Sequence, residues 1–273
     1  MLDQGYHSAC GIVTDGRLIC WGDDEFVAIV PEVDAARVSL GTLGGCVVRS
    51  DGGVTCWCMP SQDRACRGVT TRDDIVDVQA AEFWACAEDV DHVLHCWGSH
   101  PMSNTVVSEP VTHWDIEADV GCAVMGSGAV ECWGDTDVWQ GADPPGPLAP
   151  PEGLKYTQVA VGRTHACALD TDGEVHCWGK TGFNEPYPQA PPGPFVSIES
   201  WHAVTCGLRP DHHAACWWDL PGLIDEWSIP DEAWAQLGLG EWDGCGLTLD
   251  GRGLCFGVIY DSGVWEVPDL EDL

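Results

Sequence analysis

A pair of cysteines separated by nine residues occurs seven times along this chain. The first cysteines of successive pairs are 36 to 45 residues apart, and the step from the last pair through the chain end to the first adds 38 residues. A period near 40 corresponds to one supersecondary unit per copy, and seven copies without remainder indicate a ring. The sequence therefore predicts an all-β fold, a seven-bladed β-propeller. The pairs are Cys10/Cys20, Cys46/Cys56, Cys86/Cys96, Cys122/Cys132, Cys167/Cys177, Cys206/Cys216 and Cys245/Cys255.

Each cysteine pair frames a predicted β-hairpin. The fifth residue after the first cysteine is aspartate in six copies and serine in one. The next residue is glycine in five copies and histidine in two, which is typical of a hairpin turn because both types adopt positive φ. With a three-residue loop the two cysteines form a non-hydrogen-bonded pair, whose short Cα separation suits a disulfide. We therefore predict one cross-strand disulfide within each blade, in hairpins centred near residues 15, 51, 91, 127, 172, 211 and 250.

Cys58 and Cys66 remain after the seven pairs, and by elimination we assign them to an eighth disulfide. Disulfides persist in oxidising compartments, so we expect a secreted, periplasmic or cell-surface protein. The residues before the first repeat lack the features of a signal peptide. A zinc site fits the cysteines poorly, because such sites combine two close pairs and each pair here belongs to its own hairpin. Reduced thiols in a cytosolic protein remain a third reading.

An aromatic residue follows the second cysteine of every pair and points to the opposite face of the strand. We predict that these large rings pack between neighbouring blades. They are Trp21, Trp57, Trp97, Trp133, Trp178, Trp217 and Phe256.

The chain is strongly acidic, with 44 Asp and Glu against 11 Lys and Arg and a formal net charge of −33. Nucleic acids and anionic membrane surfaces would be repelled, so neither is an expected partner. No apolar stretch approaches the length needed for membrane insertion. The charge would steer a basic protein towards the chain, although solubility alone explains it equally well. We expect a monomer.

Two segments carry a recognisable repeat, GRTHACALDTDGEVHCWG at Gly162–Gly179 and GYHSACGIVTDGRLICWG at Gly5–Gly22. They resemble the repeat of the regulator-of-chromosome-condensation superfamily, in the cysteine-rich form found in bacterial extracellular proteins. The resemblance covers the whole chain, although repeats three, four and six are degenerate. It implies a single domain over residues 1–273 with four-stranded blades, closed by the N- and C-termini sharing one blade. The founding member's exchange activity on a small GTPase is not carried over, because this chain is acidic and lacks a basic tail.

In that family the connection from the innermost strand to the hairpin lies on one rim of the ring, and here it is rich in aromatic residues flanked by acids. Exposed aromatics of this kind are typical of interface cores. We predict a non-catalytic, protein-binding module that docks its partner on this rim. The alternative is that each ring covers its own blade. The predicted binding residues are Tyr6, His7, Phe83, Trp84, Trp201, His202 and Trp242, with Trp84, Trp201 and Trp242 as anchors.

Two other functions stay open, a carbohydrate-binding propeller and a lyase or hydrolase with its site at the rim or the central channel. An enzyme is not favoured, because no constellation of base, nucleophile and oxyanion donors stands out. We expect no catalytic residues, no metal site and no cofactor, and we expect His165 to be structural. The acidic run Asp23, Asp24 and Glu25 leaves weak surface calcium binding open as an alternative.

Overall fold

The computed structural model describes residues 2–5, 8–22, 24–42, 44–59, 65–99, 106–107, 109–142, 146–218, 229–240, 243–257 and 264–267. The chain divides into two compact units. The first comprises Met1–Pro110, Gln236–Cys255 and Trp265–Leu273, and the second comprises Val111–Ala235 and Phe256–Val264. Within the described residues no helix is long and apolar enough to cross a membrane.

Seven antiparallel sheets follow one another along the chain, and we number them blades 1 to 7. In each blade the cysteine hairpin supplies the second and third strands. Blade 1 contains β1 (Leu2–Gln4), β2 (Ser8–Ile12) and β3 (Leu18–Gly22). Blade 2 contains β4 (Ala35–Leu40), β5 (Gly44–Arg49) and β6 (Val54–Cys58). Blade 3 contains β7 (Ile75–Ala80), β8 (Trp84–Asp89), β9 (Leu94–Gly98) and β10 (Val106–Val107).

The remaining four blades repeat this order. Blade 4 contains β11 (Val111–Glu117), β12 (Val120–Met125) and β13 (Val130–Gly134). Blade 5 contains β14 (Tyr156–Val161), β15 (His165–Asp170) and β16 (Val175–Gly179). Blade 6 contains β17 (Ser197–Trp201), β18 (Val204–Leu208) and β19 (Ala214–Trp218). Blade 7 contains β20 (Trp234–Leu239), β21 (Asp243–Thr248), β22 (Gly253–Gly257) and β23 (Val264–Glu266).

The prediction of four strands in every blade is not confirmed. In the described part of the chain five sheets have three strands, and only blades 3 and 7 have a fourth. The linkers that were expected to supply the fourth strand differ in length and composition, and two of them form short helices instead. These are α1 (Asp24–Val27) after blade 1 and a 3-10 helix (Thr136–Trp139) after blade 4. The C-terminal residues 268–273, predicted to share a blade with the N-terminus, lie outside the described residues.

All eight predicted disulfides are present. The seven hairpin disulfides have Cα separations of 4.0 to 4.1 Å, as expected for directly opposed, non-hydrogen-bonded pairs. The eighth, in the linker after blade 2, has a Cα separation of 6.1 Å. The bonded pairs are Cys10–Cys20, Cys46–Cys56, Cys58–Cys66, Cys86–Cys96, Cys122–Cys132, Cys167–Cys177, Cys206–Cys216 and Cys245–Cys255.

The two cysteines of a hairpin differ in burial, although nothing in the repeat pattern distinguishes them. The first cysteine lies on the second strand, between two others, and is buried in every blade. The second lies on the third strand, which is the outermost strand of five sheets. It is buried in blades 5 and 7, as Cys177 and Cys255. In the other five blades it is structural but only half-buried, and these residues are Cys20, Cys56, Cys96, Cys132 and Cys216.

Histidine replaces glycine in two of the hairpin turns. His92 and His212 have φ values of +63° and +67°, so they take the left-handed conformation that glycine has in the other turns. The prediction from the aligned repeats is therefore confirmed at both positions.

The hairpin turns also hold consecutive blades together. In blade 1 the carbonyl oxygen of the turn residue Gly16 accepts a hydrogen bond of 2.8 Å from the N–H of Ala35, where blade 2 begins. Gly173 makes the same bond to Phe195 between blades 5 and 6, also at 2.8 Å. The turn of one blade therefore fixes the starting point of the next, even though the blades are separate sheets.

The predicted packing of aromatic rings between blades is found at Trp57, Trp97 and Trp217. Trp57 of blade 2 shares a core cluster with Cys10 of blade 1, and Trp97 of blade 3 shares one with Cys46 of blade 2. In the second unit Trp217 of blade 6 lies in the same cluster as Cys167 of blade 5. Because cysteine and tryptophan occupy opposite faces of each hairpin, the ring of the later blade in these three pairs covers the disulfide of the blade before it.

Polar side chains on the first strand of a blade reach the first strand of the next blade. Asp3 accepts a 2.7 Å hydrogen bond from the N–H of Leu40, and Asp115 accepts one of 2.6 Å from Val161. Gln236 of blade 7 donates a 2.6 Å bond to the carbonyl oxygen of Leu2, which ties the last blade to the first within the first unit. These bonds satisfy backbone groups that no neighbouring strand could reach.

Candidate functional site

The position two residues before the first cysteine is buried in every blade, and it includes two residues singled out from the sequence. A strand places residues i and i+2 on the same face, so this position points, like the cysteine, into the core. Trp84 occupies it in blade 3, is 0% exposed and is therefore not available to a partner. For Trp84 the alternative reading, a ring that covers its own blade, describes the structure. The set is Ser8, Gly44, Trp84, Val120, His165, Val204 and Asp243.

His165 is the centre of a buried polar contact in the second unit. Its ring stacks on that of Tyr187, with centroids 3.6 Å apart, and its Nε2 lies 2.8 Å from the hydroxyl oxygen of Thr205. Burial lowers the pKa of His165 to about 3, so the imidazole is neutral at physiological pH. The ring joins blades 5 and 6 and is sealed from solvent, an arrangement that braces the fold and gives a substrate no access.

A continuous surface in the second unit does carry exposed aromatic and cationic groups. Trp201 ends β17, and His202 follows it with φ at +50°; both are half-buried. The carbonyl oxygen of His202 accepts a 2.8 Å hydrogen bond from the N–H of Arg163, and the carbonyl oxygen of Thr164 accepts one of 2.9 Å from Lys180. Backbone bonds thus join three loops into one surface.

Phe183 lies three residues after Lys180, on a braced turn. Its side chain is 66% exposed, which is unusual for an aromatic residue. The buried hydroxyl of Thr181 accepts hydrogen bonds from the N–H groups of Phe183 and Glu185, at 3.2 and 3.0 Å, and holds the turn in place. We call this set the connection surface, and it comprises Arg163, Thr164, Lys180, Phe183, Trp201 and His202.

The first unit contains the other predicted rim residues. Phe83 is half-buried between β7 and β8, and its carbonyl oxygen accepts a 3.0 Å hydrogen bond from Ser99. A Cβ atom at Gly98, where φ is +122°, would lie 2.5 Å from this oxygen, so the strand exit beside Phe83 requires glycine. Tyr6, His7 and Trp242 lie outside the described residues, and their assignment stays a prediction.

Half-buried carboxyl groups with raised pKa values lie on first strands of the first unit. Burial raises the pKa of Asp3 to about 7, against the opposing effect of its hydrogen bond from Leu40. Burial likewise raises the pKa of Asp77 to about 6. In the same unit burial raises the pKa of Asp243, at the start of β21, to about 7. These groups exchange protons near neutral pH, a property the sequence pattern did not predict.

His95 and His176 each come directly before the second cysteine of their hairpin. Each forms a contact with an aspartate of the same hairpin. His95 Nε2 lies 2.7 Å from Asp89, and His176 Nε2 lies 2.8 Å from Asp170. Each aspartate also accepts two backbone N–H bonds from its turn, which Asp170 receives from Asp172 and Glu174. These pairs brace the turns.

The sequence left weak calcium binding at Asp23, Asp24 and Glu25 open as an alternative. Asp23 lies outside the described residues.

Comparison with known proteins identifies the fold. Residues 156–185 match the regulator of chromosome condensation (RCC1) repeat, and no curated protein matches the sequence. The CRINKLY WD40 ectodomain of the Arabidopsis thaliana receptor kinase ACR4 is similar over 98% of this chain and 97% of its own, with 20% identity and a TM-score of 0.79. The ectodomain of the Physcomitrella patens receptor kinase CR4 is similar over 94% of this chain and 72% of its own, with 21% identity and a TM-score of 0.76.

A third similar structure is Prp20p from Saccharomyces cerevisiae, with 14% identity and a TM-score of 0.53, over 94% of this chain and 71% of its own. At these identities the likeness concerns the fold alone. The repeat match lies in blade 5, the segment whose sequence first suggested the resemblance. The seven sheets and their disulfide-linked hairpins extend the same unit along the chain, which is therefore an RCC1-type repeat propeller.

Proposed function

We propose that the chain is a non-catalytic protein-binding module, a single propeller domain over residues 1–273 that works outside the cell without a cofactor. The observation that carries the proposal is the connection surface, where backbone hydrogen bonds join the loops of Arg163, Lys180 and His202, and where the exposed Phe183 lies on the turn after Lys180. The proposal extends to the half-buried Phe83 in the first unit.

The composition of the connection surface suits an interface core. Aromatic residues and arginine are enriched in the residues that dominate protein binding energy. A braced backbone also reduces the entropy lost when a partner docks. Within the described residues Arg163 and Lys180 form no ion pair with a carboxylate, so both cations can pair with a partner.

The extracellular location is supported by the eight disulfides and by the ectodomain origin of the two plant structures. Protein binding has a precedent on this fold, since the yeast Prp20p structure was described together with its binding to Gsp1p and histones. The net charge of −33 would accelerate encounter with a basic partner. Local carboxylates on that partner would then face Arg163 and Lys180.

The test is affinity capture from the native extracellular medium with a variant that carries Trp201→Ala and His202→Gly. Glycine tolerates the positive φ of residue 202, so the fold should be retained. The matched control carries Val90→Ala and Leu249→Ala, which remove exposed apolar side chains from hairpin turns. We expect a protein that wild type and control retain and that the variant binds at least about tenfold more weakly.

If the surface variant keeps its fold by circular dichroism and captures the same protein as strongly as wild type does, the connection surface is not the binding site. A glycan array with the same three proteins separates the carbohydrate alternative. If wild type binds a glycan and the variant with Trp201→Ala does not, the partner is a carbohydrate and not a protein. A separate Phe83→Ala variant tests the first unit.

A further inference from the structure

A cavity of about 670 Å³ lies at the outer edge of blade 1. Cavities that bind ligands commonly have volumes of this order. One wall is β3, which contributes Leu18 and Cys20. The opposite wall is the linker to blade 2, which contributes the apolar side chains of Val27, Val30 and Val33. The cavity therefore separates the edge of the third strand from the chain that would otherwise cover it.

In two other blades a fourth strand covers the edge of the third strand. In blade 3 the two residues of β10 pair with β9, Val106 opposite His95 and Val107 opposite Leu94. In blade 7 the strand β23 takes the same place beside β22. Two or three residues of extended chain are thus enough to complete a blade in this molecule.

Blade 5 has no fourth strand, yet a side chain satisfies its edge. The amide of Gln189 donates a 3.0 Å hydrogen bond to the carbonyl oxygen of Cys177, and its own oxygen accepts one of 3.4 Å from the N–H of Cys177. Cys177 is the second cysteine of its hairpin, so its backbone groups point outward from the pair. The glutamine replaces a strand at this position.

In the part of the chain that the structure describes, the linker of blade 1 pairs with the start of the third strand, Asp34 opposite Arg17, but neither a strand nor a glutamine covers the edge beyond that point. Leu18 and Cys20 lie opposite Ile12 and Cys10 as non-hydrogen-bonded pairs, so their N–H and C=O groups point away from β2 and towards the cavity. Cys20 corresponds to Cys177, but among the described residues no side chain or strand bonds to its backbone on the cavity side. An open strand edge of this kind is a template for another chain.

The opposite wall is held in place, so the cavity is preformed. Phe26 of α1 is buried and meets the ring of Trp57 edge-on, with centroids 6.1 Å apart. The N–H of Ile29 bonds to the carbonyl oxygen of Phe26 at 3.2 Å. At the far end of the linker Ala35 is bonded to the hairpin turn of blade 1. Both ends of the wall are therefore anchored to the core.

The mouth of the cavity is negatively charged. Arg17 is paired with Asp15 at 2.8 Å, which balances one carboxylate. Glu32 and Asp34 also line the cavity, are exposed and form no ion pair with any described residue. Two uncompensated carboxylates beside an apolar wall favour a ligand that combines basic and apolar side chains.

We propose that this cavity is a vacant fourth-strand position that accepts an extended, basic segment of a partner protein by strand addition. The segment lies antiparallel to β3 opposite Ile19 and Cys20, beyond the point where Asp34 of the linker pairs with Arg17. Its backbone bonds to the outward groups of β3, its apolar side chains contact Val30 and Val33, and its basic side chains pair with Glu32 and Asp34. This site is distinct from the connection surface, and it goes beyond the proposed function by naming the conformation and charge of a second partner segment.

The first test uses the acetylated and amidated peptide Val-Lys-Val-Arg-Val as the probe, titrated into the full chain. Two further peptides carry N-methyl groups on alternate residues, one for each edge of the peptide. We expect saturable binding of the parent peptide with amide shifts at Leu18 and Cys20. We also expect at least about tenfold weaker binding for one N-methylated peptide and not the other, because only one edge faces β3. No binding at millimolar concentration, or no loss with either N-methylated peptide, would overturn the proposal.

The second test changes the protein. Glu32→Gln with Asp34→Asn should weaken the parent peptide about three- to tenfold, whereas the control Glu131→Gln with Glu152→Gln removes the same charge elsewhere and should not. Equal affinity for Val-Glu-Val-Glu-Val would refute the charge preference. The connection-surface variant should bind the peptide normally, so the two proposals fail independently.

Discussion

The side-chain amide of Gln158 forms two hydrogen bonds with the backbone of Ile198. Its nitrogen donates to the Ile198 carbonyl oxygen at 3.0 Å, and its oxygen accepts from the Ile198 N–H at 2.9 Å. Gln158 lies in the first strand of blade 5 and Ile198 in the first strand of blade 6. One side chain therefore replaces a step of β-sheet pairing between two sheets.

Replacing Gln158 by leucine should destabilise the protein by about 1–3 kcal/mol, because both backbone groups of Ile198 lose their partner. Urea unfolding followed by tryptophan fluorescence measures the loss. Gln140→Leu is the control, since Gln140 is exposed and bonds only to the neighbouring Asp137. A loss no larger than that of the control would mean that water satisfies Ile198 in the variant.

Truncation of Trp84 should destabilise the protein far more than truncation of Trp201. Trp84→Ala removes a fully buried ring and should cost about 3–5 kcal/mol of unfolding free energy. Trp201→Ala removes a half-buried ring at the surface and should cost less than about 1 kcal/mol. Guanidinium unfolding of both variants gives the comparison, and similar losses would show that Trp201 also belongs to the core.

Whereas the eighth disulfide was assigned by elimination, the cysteine spacing was sufficient to predict the hairpins, their register and the seven hairpin disulfides. Each of these depends on local geometry, in which a ten-residue separation and a three-residue turn leave one pairing. The positive φ of His92 and His212 followed from the same alignment of the repeats.

The burial of Trp84 was also predictable, because Trp84 lies two positions before Cys86 and therefore on the same face of the strand. The side-chain bonds between blades and the cavity beside β3 could not be predicted in this way. They depend on how linkers of unequal length return to the next blade, and no repeat pattern describes those linkers. The prediction of a fourth strand in every blade was not confirmed for the same reason. The unequal burial of Cys56 and Cys177, which hold the same place in their hairpins, also reflects differences outside the repeat.

Removing a hairpin disulfide should destabilise the fold more than removing the linker disulfide. Cys167→Ala with Cys177→Ala opens a buried hairpin and should cost about 3 kcal/mol from loop entropy, plus the contacts of the lost sulfurs. Cys58 and Cys66 close a loop of similar length but are half-buried, so their removal should cost about 1 kcal/mol less. Thermal unfolding of the two double variants measures the difference. The reverse order would show that the linker bridge organises blade 2.

Asp243 should make the protein less stable as the pH rises from about 4 to about 7. Burial raises its pKa to about 7 in the folded state, so the folded protein holds a proton that the unfolded chain, with a value near 3.8, has released. The stabilisation from this group is complete below the unfolded value and is lost as the pH passes the folded one. Asp243→Asn should flatten this part of the stability profile and raise stability at pH 8.

Urea unfolding at a series of pH values provides the measurement, with Glu109→Gln as the control because Glu109 is exposed. Parallel profiles for Asp243→Asn and wild type would mean that Asp243 stays ionised in the folded protein.

The burial of each disulfide determines how easily a reducing agent reaches its sulfur atoms. Cys167 and Cys177 are 0% and 3% exposed in the cluster that contains the ring of Trp217, so attack on them waits until adjoining blades move apart. Cys20 is half-buried at the wall of the blade 1 cavity, where a small thiol has a direct approach. Reduction of the blade 1 bridge should therefore precede that of the blade 5 bridge, whose rate is governed by the frequency with which the interface between blades opens.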